Sequence, residues 1–103
     1  MSKYGLLGKF TVLEGKQKQM VDILLEAADS LKDLEDCENY QISITGQEPN
    51  AVYVYEVWNN KQAHQDSLSL ESTQTLIRQA KPIITGMERI CTLNTLGGKG
   101  LTY

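Results

Sequence analysis

Two strand patterns separated by a short loop constrain the fold of this chain most. In the first, Tyr40, Ile42 and Ile44 alternate with polar residues, which is the period of a half-buried strand. The second, Ala51 to Trp58, is rich in β-branched and aromatic residues. Residues 46–50 between them read GQEPN, a run of turn formers. The pattern predicts an antiparallel hairpin.

A further strand and a helix are predicted before the hairpin. Tyr4 to Leu13 has the composition and alternation of a strand. Gly5 and Gly8 within it indicate a bulge or a place where another group approaches the backbone closely. From Lys16 to Leu34, apolar residues recur at spacings of three and four, which predicts an amphipathic helix.

After the hairpin, the sequence predicts helical segments and a last strand. Asn59-Asn60 is expected to cap a helix that continues through Ala63 to Leu68, and Thr73 to Lys81 forms a second helical piece. Met87 to Leu96 is the last predicted strand, with Ile90, Thr92 and Asn94 on one face and Cys91, Leu93 and Thr95 on the other. The Gly-rich tail, Gly97 to Leu101, suits no regular element.

This order of elements predicts an α+β fold of the ferredoxin-like type. A βαββαβ chain forms an antiparallel sheet with its helices on one face, so the other face needs a cover. The third strand carries apolar residues on both faces, namely Val52 and Val54 on one and Tyr53, Tyr55 and Val57 on the other. We therefore expect a homodimer in which the sheets of two copies pack together.

Size and charge narrow the classes of function. The chain of 103 residues is expected to form a single domain, residues 1–103. Its net charge of −3, from 10 basic and 13 acidic residues, argues against nucleic acid or an anionic membrane as partner. No apolar run reaches the roughly 18 residues of a membrane span, and no signal peptide is recognisable, so a cytoplasmic location is predicted. Cys37 and Cys91 form no CxxC pair and are expected to be small buried hydrophobes.

Three motifs resemble those of the antibiotic biosynthesis monooxygenase (ABM) superfamily, in particular its small bacterial quinol monooxygenase group. They are EVWNNKQAH at 56–64, RQAKPII at 78–84 and GGKG at 97–100. The resemblance covers nearly the whole chain. It implies a dimeric α/β barrel that oxygenates electron-rich phenols or quinols without flavin, haem or metal. The haem-degrading branch has a further histidine in the second helix, and none follows His64, so haem degradation is not expected.

Such chemistry needs a pocket that binds a flat ring, removes a proton and excludes water, because the substrate itself reduces oxygen. His64 is the first catalytic candidate, as a base or hydrogen-bond partner, although a surface or capping histidine would have the same position. Trp58 is the second, as a stacking surface, although core or interface packing is also open. Glu56 shares a strand face with Trp58, and a buried Glu56 needs a partner such as Arg78 or Arg89.

Further candidates for substrate binding are the hydroxyls of Tyr40, Tyr53 and Tyr55, together with Glu56. Each tyrosine is equally consistent with plain packing. Metal binding is not expected, since a single histidine builds no site alone, and the glycine-rich phosphate-binding motifs are absent from the sequence.

Three functions stay open on these residues. The first is a monooxygenase that acts on a small quinol or polycyclic phenol. The second is an isomerase or proton-transfer enzyme that acts on a small carbonyl compound, since the same pocket and one base would serve it. The third is a dimer that binds a small aromatic or quinone-like ligand without catalysis.

Overall fold

The computed structural model describes residues 2–100, in which an open antiparallel sheet of four strands carries three helices on one face. The strands are β1 (Lys3–Val12), β2 (Cys37–Ser43), β3 (Ala51–Trp58) and β4 (Ile84–Thr95), and the helices are α1 (Gln17–Ser30), α2 (Lys61–Ser67) and α3 (Glu71–Ala80). The strand order is β2-β3-β1-β4. The predicted α+β, ferredoxin-like arrangement is thereby confirmed.

The boundaries of the elements agree with the sequence best in the hairpin. The third strand spans Ala51–Trp58 as predicted, and the second begins earlier, at Cys37. Helix α1 ends at Ser30 rather than at the predicted Leu34, because the N–H of Leu31 turns back to the carbonyl of Ala28 at 3.1 Å. The last strand begins at Ile84, before the predicted start.

The main hydrophobic core lies between the sheet and helices α1 and α3. Its members with an exposure of 2% or less are Val12, Met20, Leu24, Val52, Val54 and Ala80. Alternation along β3 directs both valines to this helix face. Burial of each such side chain stabilises the fold by roughly 1.5–3 kcal/mol.

Glycines of β1 allow the close approach that the sequence indicates. A Cβ at Gly5 would lie 2.9 Å from Oγ1 of Thr95 and 3.2 Å from Cβ of Leu93, so no larger residue fits without displacement. At Gly8 the contact is looser, 3.6 Å to the carbonyl oxygen of Glu88, but the pairing of β1 with β4 shifts there. The predicted bulge or close approach is therefore found at both glycines.

The shift is a β-bulge in β4 and corrects the predicted alternation of that strand. Leu7 pairs with Cys91 and Gly8 with Arg89, so Ile90 is an extra residue without a partner on β1. Arg89 therefore lies on the helix face of the sheet, like Gly8. A strict alternation would have directed Ile90 to that face and Arg89 to the other.

The second face of the sheet carries no helix of the described chain. The side chains of Leu7, Tyr53 and Tyr55 lie on this open face and are half-buried. At one end, Lys9 forms an ion pair with Glu48, which also accepts a hydrogen bond from the hydroxyl of Tyr53. These bonds hold the β2–β3 loop against the open face.

The tail and the cysteines complete the description. Residues 96–100 form neither helix nor strand, as predicted, and Leu101 lies outside the described residues. Cys37 and Cys91 are half-buried free thiols. None of the helices in residues 2–100 is long and apolar enough to cross a membrane.

Candidate active site

A cavity of about 690 Å³ lies between the helix face of the sheet and the helices. Its volume is in the range typical of small-molecule sites. Most of its wall is apolar, with Leu6, Phe10, Met20, Val54 and Leu76 among the lining residues. Three further lining side chains remain 48–76% exposed and border the opening of the cavity. They are Leu68 at the end of α2, Ile77 on α3 and Met87 on the edge strand β4.

A carboxylate interrupts the apolar wall at one end of the cavity. Glu56 points to the helix face because residues two apart along a strand share a face, and it lies between Val54 and Trp58 at that spacing in β3. The indole Nε1 of Trp58 donates a hydrogen bond of 2.9 Å to Oε1 of Glu56. The other oxygen, Oε2, has no hydrogen-bond partner among residues 2–100, although the side chain is only 18% exposed. One carboxylate oxygen is thus fixed and the other is available to a ligand.

Helix α2 brings the histidine to this carboxylate. Asn60 has an extended backbone and caps the helix, since its side-chain oxygen accepts the N–H of Ala63 at 2.8 Å. The predicted cap at Asn59-Asn60 is confirmed at its second residue. His64 follows in the first turn and faces the sheet.

Aromatic rings hold the imidazole of His64, which is not a surface group. The residue is 8% exposed. Its ring lies edge-on to Trp58, with centroids 5.7 Å apart, and is tilted against Tyr4 at 5.8 Å. Nε2 of His64 lies 3.8 Å from Oε1 of Glu56, which is a contact rather than a hydrogen bond. Histidine and carboxylate therefore face the same end of the cavity.

Burial shifts the pKa values of both groups toward their neutral forms. It raises the pKa of Glu56, while the hydrogen bond from Trp58 and the charge of Arg89 oppose that rise. Burial and the charge of Arg89 lower the pKa of His64. A carboxyl of raised pKa beside a neutral imidazole is suited to accepting a proton near neutral pH.

Two more titratable groups near Glu56 stay protonated. Tyr40 is the partner of Glu56 in the β2–β3 ladder, and burial and the carboxylate raise the pKa of its phenol. Burial raises the pKa of Cys37 to about 11, so its thiol is protonated at neutral pH and is a poor nucleophile. Tyr40 is thus available as a neutral hydroxyl, while Cys37 has no evident chemical role.

The six predicted site residues fall into two groups. Tyr40, Glu56, Trp58 and His64 all line the cavity. Tyr53 and Tyr55 do not, because they occupy the alternate positions of β3 and point to the open face. These two tyrosines therefore do not line the cavity that holds Glu56, and their role in substrate binding stays a prediction.

The two arginines that the sequence suggested as partners of Glu56 lie in different places, and neither forms an ion pair with it within residues 2–100. Arg78 donates a hydrogen bond of 3.1 Å to the hydroxyl of Thr75 on its own helix. Arg89 lines the cavity but forms no ion pair with Glu56 within residues 2–100. The hydrogen-bond partner of the carboxylate is Trp58 instead.

Sequence reasoning did not identify Tyr4 as a neighbour of His64 or Arg89 as a residue of the helix face. The contact of Tyr4 depends on its pairing with Trp58 across β1 and β3, and the position of Arg89 depends on the bulge. The glycines Gly5 and Gly8 of β1 were the sequence signal for a bulge, and the register shift lies at Gly8. In the described part of the chain, no group of three or more His, Cys, Asp or Glu side chains is placed to hold a metal ion.

Comparisons with known proteins identify the family. The family model for antibiotic biosynthesis monooxygenase matches residues 4–79. A solved structure from Chloroflexus aurantiacus, named after this family, has 31% sequence identity and a TM-score of 0.87, and the match covers 98% of this chain and 100% of that one. A second, from Caulobacter crescentus and also named after it, has the same fold at 17% identity, with a TM-score of 0.81 and coverages of 93% and 92%. No curated protein sequence matches significantly. The chain therefore belongs to the antibiotic biosynthesis monooxygenase family.

Proposed function

We propose that this protein is a cofactor-independent monooxygenase that oxidises a small quinol or polycyclic phenol. Membership of the family supports a monooxygenase-type reaction. The observation that carries the proposal is the pairing of Glu56 and His64, 3.8 Å apart, at the end of an otherwise apolar cavity. The volume and apolar wall of the cavity suit a molecule of two or three fused rings.

Proton removal is the first step of the proposed reaction. A hydroxyl of the substrate donates to Oε2 of Glu56 or Nε2 of His64, and its O–H bond breaks as the base takes the proton. Both groups are catalytic candidates, and the phenol of Tyr40 contributes a neutral donor on the adjacent strand. Trp58 acts as a positioning residue, because its indole is 1% exposed and holds Glu56 rather than offering a free ring face.

Oxygen then reacts with the electron-rich anion, and the substrate supplies all the electrons. One oxygen atom enters the ring and the other leaves as water, so that a quinol and O₂ give a hydroxyquinone and H₂O. The apolar wall favours this chemistry because it keeps bulk water from the reacting anion. In this proposal, flavin, haem and metal have no part.

Oxygen uptake tests the reaction. With menadiol or anthrone as substrate and a chelator present, the wild-type protein is expected to consume oxygen well above the rate of autoxidation. His64→Gln should lower kcat/KM by about 10²–10⁴-fold, the usual contribution of a general base. Gln65→Ala, a change at the adjacent exposed position of α2, is the matched control and should have no effect.

Two outcomes decide between the alternatives. Turnover of a carbonyl substrate at an unchanged rate without oxygen would favour the isomerase or proton-transfer enzyme. Ligand binding without turnover in any of these assays would favour a non-catalytic binding protein. Either outcome, together with no oxygen uptake above autoxidation in the presence of the quinol, would overturn the proposed monooxygenase.

The proposal includes a homodimer of the domain formed by residues 1–103, a dimeric α/β barrel in which the open sheet faces of two copies meet. Supporting it, Leu7 and Tyr55 lie half-buried on that face and Leu93 is 41% exposed. Tyr55→Lys should dissociate the dimer, whereas Leu25→Lys on the exposed side of α1 should not. Sedimentation of the wild-type protein as an 11.5 kDa monomer at micromolar concentration would contradict the dimer. The two free thiols are in keeping with a cytoplasmic location.

A further inference from the structure

Arg89 lies at the cavity but has no role in the proton transfer proposed above. It lines the cavity, and it reaches the helix face only because Ile90 is an extra residue in β4. We infer that Arg89 binds the oxyanion that forms when the substrate hydroxyl is deprotonated. The inference rests on the proposed function, since it assigns a charge partner to the product of its first step.

The bulge is what directs this arginine toward the carboxylate. Bulges occur beside active sites because they redirect a side chain. With an uninterrupted ladder, the position of Arg89 would face the open side of the sheet, away from Glu56. One extra residue thus places a cation at the edge of the cavity.

Gly8 leaves the space between the two charged groups clear. Glu56 pairs with Leu6 and Arg89 pairs with Gly8, so the two lie diagonally across β1. Strands β3 and β4 are separated by two strand spacings, about 10 Å. The long side chains of Glu56 and Arg89 can extend toward each other until the gap between them fits a bound ring. Since Gly8 has no side chain, nothing at its position rises between them.

The guanidinium of Arg89 is available to a ligand. It has no hydrogen bond or ion pair within residues 2–100, whereas Lys9, another lining residue, has its ammonium paired with Glu48 on the open face of the sheet. Lys81 also lines the cavity but follows α3, next to Ile84 at the opposite end of β4. Arg89 still acts electrostatically at the polar end, because its charge lowers the pKa of both Glu56 and His64.

Charge balance favours this role. Transfer of the proton from the substrate to the Glu56 carboxylate leaves a neutral acid and an anionic ring oxygen. The negative charge thereby moves from Glu56 to the substrate, where a guanidinium forms strong charge-assisted hydrogen bonds to oxygen. Arg89 thereby gains an anionic partner at the step in which the charge of Glu56 is neutralised.

A pair of ligands with the same ring system tests the inference without turnover. The first, 2-hydroxy-1,4-naphthoquinone, is an anion at neutral pH, and the second, its neutral 2-methoxy ether, is not. Binding is followed by calorimetry or by the fluorescence of Trp58, the single tryptophan. Arg89→Gln is expected to weaken binding of the anion by about 10–100-fold, the factor that corresponds to one hydrogen bond to a charged group. It should weaken binding of the ether by less than about twofold. Arg89→Lys should recover part of the loss.

Two control variants separate position from charge. Arg78→Gln removes the same charge outside the cavity and should leave both affinities unchanged. Ile90→Ala keeps the bulge and the pairing of Arg89 with Gly8, so it should also leave both affinities unchanged.

The possible failures are distinguishable. If Arg89→Gln weakens the binding of both ligands equally, or of neither, the inference is overturned. The proposed oxidation then still stands if the protein consumes oxygen with the quinol. Failure of both ligands to bind the wild-type protein would overturn the inference and the quinol site together.

Discussion

The indole Nε1 of Trp58 donates a 2.9 Å hydrogen bond to Oε1 of Glu56, and the two side chains lie on the same face of β3, two residues apart. The bond joins a side chain that is almost wholly buried to one that borders the cavity. Because the donor is fixed in the core, the carboxylate orientation is fixed as well. Oε2 is left for a ligand, and the pKa of the carboxyl becomes sensitive to the tryptophan.

Trp58→Phe should therefore shift the pH dependence of activity. The hydrogen bond stabilises the carboxylate, so its loss should raise the pKa of Glu56 further. If ionised Glu56 is the base, the acid limb of kcat/KM should move to higher pH. The lost bond and the smaller ring should also lower the free energy of unfolding by about 1–3 kcal/mol. A pH–rate profile checks the shift, and Tyr4→Phe is the control; an unmoved acid limb in the Trp58 variant would exclude this role.

Glu56→Gln should change how stability depends on pH. A carboxyl whose folded pKa lies above its unfolded value of about 4.5 binds protons more readily in the folded state. Its contribution is therefore fully present below that pH and is lost as pH rises through the folded pKa. The variant lacks this loss, so its unfolding free energy relative to wild type should increase from pH 4 to pH 8. Urea denaturation across this range measures the unfolding free energy of both proteins. If the difference between them does not change with pH, the pKa of Glu56 is not raised in the folded state.

Much of the fold follows from alternation in the sequence, because each half-buried strand shows period two on its own. Tyr40 and Ile42 of β2 are the clearest example, and their hairpin with the Ala51–Trp58 strand is formed as predicted. The bulge at Ile90 is different. It depends on the register of β4 against β1, where the pairing shifts between Leu7 and Gly8, and such a relation between distant strands has no local pattern in β4.

The site was predictable in part for the same reason. Glu56 and Trp58 share a face, as predicted, and the same rule places Tyr53 and Tyr55 on the other face, although the sequence interpretation grouped both tyrosines with Glu56 as substrate-binding candidates. Which face the helices cover was not readable from β3 alone, since both faces are apolar. The approach of His64 to Glu56 depends on how α2 packs on the sheet.

The two glycines of β1 should respond oppositely to alanine. At Gly5, the added Cβ would meet Thr95 and Leu93 at 2.9 and 3.2 Å, so Gly5→Ala should destabilise the protein by about 1–3 kcal/mol, as overpacking does. At Gly8, the nearest atom is 3.6 Å away, so Gly8→Ala should be neutral or stabilise by up to about 1 kcal/mol. Denaturant titration measures both, and equal losses would contradict the structure.

A larger residue at Gly8 should affect binding rather than stability. Its side chain would enter the cavity between Val54 and Arg89, the neighbours of Gly8 on the two adjacent strands. Gly8→Leu is therefore expected to weaken binding of a naphthoquinone by about tenfold or more, because it removes the volume that the rings need. Calorimetry with Gly8→Ala as control tests this, and full affinity in Gly8→Leu would place the ligand elsewhere.

Asn60 connects the stability of α2 to the position of His64. Its side chain accepts the N–H of Ala63 at 2.8 Å, and its carbonyl accepts that of His64 at 3.4 Å. A helix of seven residues does not persist without such caps and its packing on the sheet. Asn60→Ala should therefore cost about 0.5–2 kcal/mol of unfolding free energy. It should also lower kcat more than it raises KM, because the base is displaced while the apolar wall stays in place. Asn60→Asp keeps an acceptor and should restore both properties, so equal losses in the two variants would argue that the cap does not position the histidine.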